Sequence, residues 1–186
     1  STTYGPSAIL TPANLVTLAR LAVAPVAFFL MLTDDDQSSW LLMGLWFVLS
    51  SSDMIDGRLA RRHGATRSGA FLDPLADKVL TMGGIACMCL AHRFPWAAFV
   101  LIAVREAAVS GFRANFARRG LAVPASKLAK WKAFVQMAAV GWVTWPWTQG
   151  QHWLSLGTLW LGVAIGLVSG AQYFIAGGRA ATTMAR

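Results

Sequence analysis

Two stretches decide the fold of this chain: Asp53-Met-Ile-Asp56-Gly57-Arg-Leu-Ala60-Arg61 and Gly69-Ala-Phe-Leu-Asp73-Pro-Leu-Ala-Asp77. Each stretch carries two aspartates, and each is flanked by a long apolar run. A carboxylate inside a membrane is costly unless something compensates its charge, so an acidic cluster in this setting indicates a functional site. The aspartates are three residues apart in the first stretch and four apart in the second. Each pair therefore shares one face of a helix.

The composition is typical of a polytopic membrane protein. The chain has 186 residues, of which 56% are hydrophobic and 13% are charged, and its mean hydropathy is +0.52. Apolar segments lie at about 12–32, 38–60, 68–91, 95–117, 128–147 and 153–177. Each provides the roughly 20 residues that a helix needs to cross the hydrocarbon of a bilayer. We therefore predict an all-α protein with six transmembrane helices, folded as one domain over residues 1–186.

The net charge of +8 is distributed unevenly along the chain. Basic residues cluster in the connections near 58–67 and 113–132, whereas the other turns are poor in lysine and arginine. The positive-inside rule places both basic connections and both termini in the cytoplasm. We thus expect a multi-pass protein of the cell (inner) membrane. Charge that flanks membrane helices favours anionic membrane lipids or phosphorylated substrates as partners, and no nucleic acid is expected.

The second and third apolar segments are predicted to form a hairpin around the turn His63-Gly64-Ala65. In this antiparallel pair, Asp53 lies level with Asp77, and Asp56 lies level with Asp73. The four carboxylates therefore meet in two layers. At 1.5 Å per residue, the nearer layer is only roughly 10–13 Å from the tip of the hairpin. The site is predicted to face the cytoplasm, within reach of water-soluble metal and substrate.

Small residues accompany the acids on both arms of the hairpin. Ala60 and Gly69 lie level with each other, one turn nearer the cytoplasm, and small side chains let membrane helices approach closely. Gly57 lies level with Asp73 and leaves room for a ligand beside the backbone.

Four neighbouring carboxylates cannot all stay ionised without cations. Oxygen ligands of high negative charge suit hard divalent ions such as magnesium, manganese or calcium. Two such ions about 3.5–4 Å apart would neutralise the acids and stabilise an in-line phosphoryl displacement. Hydrogen bonding among protonated acids and Arg61 is one alternative, and a metal or proton transporter is another. Span 2 outward of Asp53 is mostly apolar, which disfavours a conducting path. A helical scaffold without catalytic function would leave the acidic layers unexplained.

The pattern Asp53-x2-Asp56-Gly57-x2-Ala60-Arg61-x7-Gly69-x3-Asp73-x3-Asp77 resembles the signature of the CDP-alcohol phosphotransferases, also called CDP-alcohol phosphatidyltransferases. Its spacer between Arg61 and Gly69 is one residue shorter than is usual in that family. The resemblance implies a six-helix membrane fold, usually a homodimer, with an active site open to the cytoplasm. It also implies transfer of a substituted phosphate from a CDP-linked donor to an alcohol, with release of CMP.

The resemblance implies a role for each matching residue. Asp53, Asp56 and Asp73 would hold one divalent cation, Mg²⁺ or Mn²⁺, and Asp53, Asp73 and Asp77 would hold a second. Asp77 would also be the general base. For Asn14 and Thr17 a helix-start cap and hydrogen bonds within the bundle are an equal alternative. The residues expected to bind the CDP donor are Asn14, Thr17, Gly57, Ala60, Arg61, Thr66 and Gly69.

Further segments are similar to bacterial phosphatidylglycerophosphate synthases, among them Pro12–Arg20 and the stretch 126–136. This similarity implies CDP-diacylglycerol as donor and glycerol 3-phosphate as acceptor, with inositol phosphate or phosphatidylglycerol as alternative acceptors. The basic residues expected to bind the acceptor phosphate are Arg105, Arg113, Lys130 and Lys132. The positive-inside rule alone would also place basic residues at these span ends, and Arg105 and Glu106 could simply pair with other groups of the bundle.

Overall fold

The computed structural model describes the backbone of residues 11–33, 38–63, 67–118 and 127–184. Within these ranges it describes every side chain except those of residues 13, 53–63, 67, 70, 117, 127, 129–130 and 176–184. The described part of the chain is all helical and contains no strand, as predicted. Its six helices are α1 (Pro12–Thr33), α2 (Trp40–His63), α3 (Arg67–Leu90), α4 (Trp96–Arg118), α5 (Lys127–Thr144) and α6 (His152–Met184).

The helix ends follow from local chemistry. The hydroxyl of Thr11 accepts a hydrogen bond from the backbone N–H of Asn14 at 3.2 Å, and a proline occupies the first position of α1. The side chain of Ser39 likewise accepts a bond from the N–H of Leu42 at the start of α2. The predicted end of α5 at residue 147 is wrong, because the helix stops at Thr144. Pro146 forces the preceding residue into an extended conformation and begins a short 3-10 turn.

Helix α1 packs along both α2 and α3, whereas α5 and α4 pack on α6. Three side-chain hydrogen bonds join α1 to α3 across sequence separations of 54, 56 and 57 residues. Because the separation is nearly constant, α1 and α3 run parallel. An antiparallel α2 joins their opposite ends, as the predicted hairpin requires.

The contact between α2 and α3 in their outer halves is made by one large side chain. The indole of Trp46 lies against Gly84, where an added Cβ would come within 2.6 Å of the ring, and its Nε1–H donates to the carbonyl of Met137 on α5. Trp46 lies seven residues outward of Asp53, and Gly84 lies seven residues outward of Asp77. This contact therefore has the register predicted for the hairpin.

Two of the helices are long and apolar enough to cross a membrane when the described residues are tested by length and hydropathy. They are Asn14–Thr33 in α1 and His152–Ile175 in α6, and a shorter apolar stretch covers Trp40–Ser52 in α2. The charged residues of the candidate site interrupt the apolar runs of the other helices. Large apolar side chains also cover the outside of the bundle, including Phe29, Phe47, Val104 and Phe134, each more than 60% exposed. These features indicate membrane association.

Candidate active site

One face of α1 carries a polar segment that continues into an apolar one. Asn14, Thr17 and Arg20 are all buried, although each has a polar or charged side chain. They recur every three residues and so share one helix face. The same buried stripe continues outward with Ala24, Ala27 and Met31.

The polar part of this stripe reaches the predicted metal-binding face of α3. The side-chain amide of Asn14 donates to the hydroxyl of Ser68 at 3.1 Å. The hydroxyl of Thr17 donates to Oδ1 of Asp73, also at 3.1 Å. The predicted donor-binding residues Asn14 and Thr17 therefore lie next to one of the predicted metal ligands. The hydrogen bonds within the bundle considered as an alternative role for them are also present.

Arg20 forms an ion pair with the predicted general base. Its Nη1 donates to Oδ1 of Asp77 at 3.1 Å, and the arginine side chain is 1% exposed whereas the aspartate side chain is 39% exposed. A buried guanidinium with a carboxylate partner holds that carboxylate in one orientation. Asp77 is thus anchored on its α1 side and open on another.

The open side of Asp77 faces a cavity between α3, α4 and α5. Its volume is about 170 Å³. Four charged side chains line it, from all three helices: Asp77 and Lys78 on α3, Glu106 on α4 and Lys132 on α5. The remaining lining residues are Pro74, Thr81, Met82, Ile102, Ala133 and Gln136.

The two lysines of the cavity are each held by a neighbour. The Nζ of Lys78 donates to the hydroxyl of Ser110 on α4 at 2.7 Å. Lys132 is 9% exposed, and its Nζ contacts Oε1 of Glu106. A predicted acceptor-binding cation therefore does share a cavity with the predicted base.

Arg105 is turned away from this cavity. Its Nε donates to the carbonyl of Gly166 at 2.9 Å, and its Nη2 donates to the hydroxyl of Ser169 at 2.6 Å, both on α6. Its Nη1 donates to Oε1 of Glu106 at 2.7 Å. All three guanidinium nitrogens thus bind groups of the bundle, which is the pairing considered above as the alternative to phosphate binding.

The other predicted site residues divide into two groups. Gly69 is buried within α3, and Arg113 lies exposed near the end of α4. The second group lies outside the described side chains, so its predicted roles stay predictions. It consists of Asp53, Asp56, Gly57, Ala60, Arg61, Thr66 and Lys130.

Comparison with known proteins identifies the family. The model of the CDP-alcohol phosphatidyltransferase family matches residues 10–168. This chain belongs to the CDP-alcohol phosphatidyltransferase family. The match covers the α1 stripe, the aspartates of α3 and the cavity described above, which confirms the resemblance found in the sequence.

Several curated family members are similar over most of their length. A probable phosphatidylglycerophosphate synthase of Mycobacterium tuberculosis is 33% identical over 165 residues, which cover 87% of this chain and 78% of the relative. A CDP-diacylglycerol–glycerol-3-phosphate 3-phosphatidyltransferase of Bacillus subtilis is 33% identical over 178 residues, covering 87% of this chain and 92% of the relative. The protein of the same name from Rickettsia bellii is 33% identical over 168 residues, with the same coverage.

The described part of the site fits a hard divalent cation by its donor chemistry. Asp73 and Asp77 lie one turn apart on α3, and both offer carboxylate oxygens to the same side of the bundle, where Thr17 and Arg20 bind them. No group of three or more histidine, cysteine or acidic ligands comes together among the side chains that the structure describes. The other two predicted ligands, Asp53 and Asp56, lie outside that set.

Sequence reasoning gave no role to Arg20 and only pairing within the bundle to Glu106, whereas the structure places both residues at the site. Arg20 binds Asp77, and Glu106 lines the cavity between Arg105 and Lys132. Arg20 carries a recognisable signal, since it is an ionisable residue in the middle of an otherwise apolar span and lies three residues after Thr17. Glu106 is the only glutamate of the chain and also lies within an apolar span. Their partners lie on other helices and cannot be derived from spacing alone.

Proposed function

We propose that this protein is an integral membrane enzyme that transfers the phosphatidyl group of CDP-diacylglycerol to glycerol 3-phosphate, forming phosphatidylglycerophosphate and CMP. The observation that carries the proposal is the single cavity in which Asp77 meets two lysines. Family membership supports the chemistry, and the names of the relatives from Bacillus subtilis and Rickettsia bellii support this donor and acceptor.

The cavity suits a small acceptor that carries its own phosphate. Lys78 and Lys132 enter it from α3 and α5, and ammonium groups are common phosphate ligands. The cavity of about 170 Å³ is smaller than the ~300–1,000 Å³ that is usual for drug-sized ligands, so it favours a three-carbon phosphate over a second whole lipid. Arg113 and Lys130 would extend this cationic surface toward the cytoplasm.

Asp77 is the proposed general base. It would accept the proton of the attacking hydroxyl as that oxygen bonds to the diacylglycerol-bearing phosphorus. The bond from this phosphorus to the oxygen of the CMP group breaks in the same displacement, and CMP leaves with the bond's electrons. The ion pair with Arg20 keeps one oxygen of Asp77 fixed, so the carboxylate presents itself to the cavity in a constant orientation.

Two divalent cations, Mg²⁺ or Mn²⁺, are proposed to be held by Asp53, Asp56, Asp73 and Asp77. When bound, they would neutralise the acids and the charge of the donor diphosphate. Thr17 would position Asp73 as a ligand through its hydrogen bond. The residues proposed to line the slot of the CDP donor are Asn14, Thr17, Gly57, Ala60, Arg61, Thr66 and Gly69.

The proposed arrangement in the cell follows from charge and from the family. All six helices would cross the inner membrane, with both termini and the active site on the cytoplasmic side, where the basic connections lie. The enzyme is proposed to act as a homodimer among membrane lipids. Outward of Thr81, the buried side chains of α3 carry no charge, and Ile85 and Met88 are fully buried. A helix of this kind offers no charged path to the far side, which disfavours the alternative of a divalent-cation transporter.

A substrate panel tests the proposal. Protein purified in detergent is incubated with CDP-diacylglycerol and Mg²⁺ or Mn²⁺, and CMP release is measured with glycerol 3-phosphate, inositol phosphate, phosphatidylglycerol and free inositol in turn. Release that depends on glycerol 3-phosphate supports the proposal. Release with inositol phosphate alone, or with phosphatidylglycerol alone, would assign the protein to that sister reaction. No release with any acceptor, from folded protein supplied with metal, would overturn the proposal.

A further inference from the structure

A chain of three charged side chains, two buried and one half-buried, connects α6 to the cavity. Arg105 is anchored on Gly166 and Ser169 of α6, it binds Glu106 beside it on α4, and Glu106 binds Lys132 on α5. The side chains of Arg105, Glu106 and Lys132 are 8%, 19% and 11% exposed. Of the three, only Glu106 and Lys132 line the cavity.

We propose that Glu106 is a positioning residue for the acceptor: it fixes the ammonium of Lys132 at the cavity wall, and Arg105 fixes Glu106 from behind. This inference rests on the proposed function, because it assumes that the cavity receives a phosphorylated acceptor. It gives Arg105 a different role from the direct phosphate contact expected from the sequence.

The geometry explains why Lys132 needs such a partner. A lysine side chain is a point charge on a flexible stem, and it offers no planar fork that would orient it. Glu106 binds this charge from one side of the cavity. An ammonium has three N–H donors, so its bond to a carboxylate leaves donors for an anion in the cavity. The ion pair therefore orients Lys132 and does not use all of its N–H donors.

The charges of the group explain why Arg105 is needed as well. The same carboxylate oxygen of Glu106 binds both Arg105 and Lys132. Because two cations share one anion, the three residues together keep one net positive charge. Without Arg105, the carboxylate of Glu106 would offset the charge of Lys132, and the pair would have no net attraction for a phosphate. Lys78 on the same cavity adds a second positive charge. The four charged side chains that line the cavity sum to zero, and Arg105 and Arg20, which bind Glu106 and Asp77 from outside the cavity, bring the six groups to a net charge of +2.

Arg105 is firmly anchored on α6, as is expected of a residue that holds Glu106 in place. Its guanidinium donates to a backbone carbonyl and to Ser169, whose hydroxyl in turn donates to the same carbonyl of Gly166 at 2.9 Å. Gly170 lies against the arginine stem, where an added Cβ would sit 3.5 Å from it. The arginine is therefore fixed by α6 at several points and holds Glu106 from a rigid support.

The principal test is the steady-state kinetics of Glu106→Gln, a substitution of nearly equal size that removes the charge. We expect the KM for glycerol 3-phosphate to rise about tenfold or more, since Lys132, which would bind the acceptor phosphate, loses its charged hydrogen bond to Glu106. The KM for CDP-diacylglycerol and kcat are expected to stay within about threefold of wild type, because donor binding and the base are untouched. Arg93→Gln, a charge removal in the turn after α3, serves as the matched control and should change neither KM.

Variants at Arg105, Ser169 and Lys132 distinguish a role in positioning the acceptor from a role in folding. Arg105→Lys keeps the charge but loses the fork, and Ser169→Ala removes one anchor outside the cavity. Both are expected to raise the KM for glycerol 3-phosphate selectively, with Ser169→Ala the weaker of the two. Lys132→Arg should retain more acceptor affinity than Lys132→Gln. If Glu106→Gln does not fold, these variants carry the test.

Each outcome is decisive for the inference. A selective rise in the acceptor KM in folded variants, with unchanged melting temperature, supports it. Unchanged kinetics in Glu106→Gln or, if that variant does not fold, in both Arg105→Lys and Ser169→Ala would overturn it. A fall in kcat without a change in KM would overturn it as well.

A binding measurement distinguishes failure of the inference from failure of the proposed function. Inorganic phosphate is titrated against the wild type and Glu106→Gln, and the melting temperature is followed. If the wild type releases no CMP with glycerol 3-phosphate, the proposed function fails. A phosphate-dependent stabilisation that the variant loses would still support Glu106 as the residue that prepares an anion site, and equal stabilisation of both proteins would contradict it.

Discussion

The inner and outer halves of α1 use the same buried stripe for opposite purposes. In the inner half, Asn14, Thr17 and Arg20 form polar bonds to α3. In the outer half, the stripe is apolar, and the ring of Phe28 lies against Gly83, where an added Cβ would collide with it.

This difference between the two halves explains how the side chains of the site are held at fixed positions. The polar bonds of the inner half orient individual side chains, whereas close packing of rings on glycines fixes the register of whole helices. Phe28 on Gly83 and Trp46 on Gly84 fix the register of α1, α2 and α3 in the outer half. In the predicted hairpin, the same register would bring the aspartates of α2 and α3 to matching depth.

Asp77→Asn tests the chemistry of the inner half. Removal of the general base is expected to lower kcat by about 10²–10⁴-fold, because an amide cannot accept the hydroxyl proton. CMP release at saturating substrates is the measurement, and the melting temperature shows that the fold is kept. A variant that retained rates within about threefold of wild type would exclude Asp77 as the base.

Arg20→Met and Arg20→Lys test the anchor of that base. Loss of the buried ion pair in Arg20→Met is expected to lower kcat/KM by about 10–100-fold, since Asp77 loses its fixed orientation. Arg20→Lys retains the charge and should fall between this variant and wild type. Equal rates in all three proteins would show that the ion pair contributes nothing to turnover.

Gly84→Ala tests the packing of the outer half. A methyl group here would lie 2.6 Å from the ring of Trp46, so a loss of about 1–3 kcal/mol in unfolding free energy is expected. The melting temperature in detergent measures it. Trp46→Leu in the same chain should recover part of the loss.

The matched control for this packing is Gly157→Ala on α6. An added Cβ at Gly157 has no atom within 4 Å, so the variant should be neutral or slightly more stable. Equal destabilisation of the two alanine variants would show that the contact with Trp46 is unimportant.

Thr17→Val tests the hydrogen bond between α1 and Asp73. The substitution keeps the shape of the side chain and removes the hydrogen bond to Asp73, so a loss of about 3–10-fold in kcat/KM is expected. The dependence of the rate on metal concentration is the informative readout. A higher metal requirement indicates positioning of Asp73, whereas a higher KM for CDP-diacylglycerol alone indicates direct contact with the donor.

Much of the fold could be predicted because apolar length is a strong local signal. The predicted segment 12–32 corresponds to Pro12–Thr33, and 68–91 corresponds to Arg67–Leu90. The largest differences lie at the ends of α5 and α6. Pro146 ends α5 early, and the helix that was expected to stop at 177 continues to residue 184.

The sequence predicts which residues belong to the candidate site better than it predicts how they are paired. The spacing of Asp73 and Asp77 places both on one face, and the pairing of their helix with α1 explains Thr17. The partner of Arg20 and the link from Arg105 to Lys132 depend on how distant helices pack. Sequence periodicity contains no information on those contacts, because it describes each helix alone.

Helix α6 is longer than a bilayer crossing requires. Its 33 residues, at about 1.5 Å each, make a rod of roughly 50 Å, whereas the hydrocarbon is only about 30 Å thick. Single cysteines placed at successive positions after Ile175 and labelled with a water-soluble maleimide would give a labelling profile along this rod, provided that Cys87 and Cys89 are first replaced. The position at which labelling begins would locate the membrane surface relative to the anchor of Arg105 at Ser169 on the same helix.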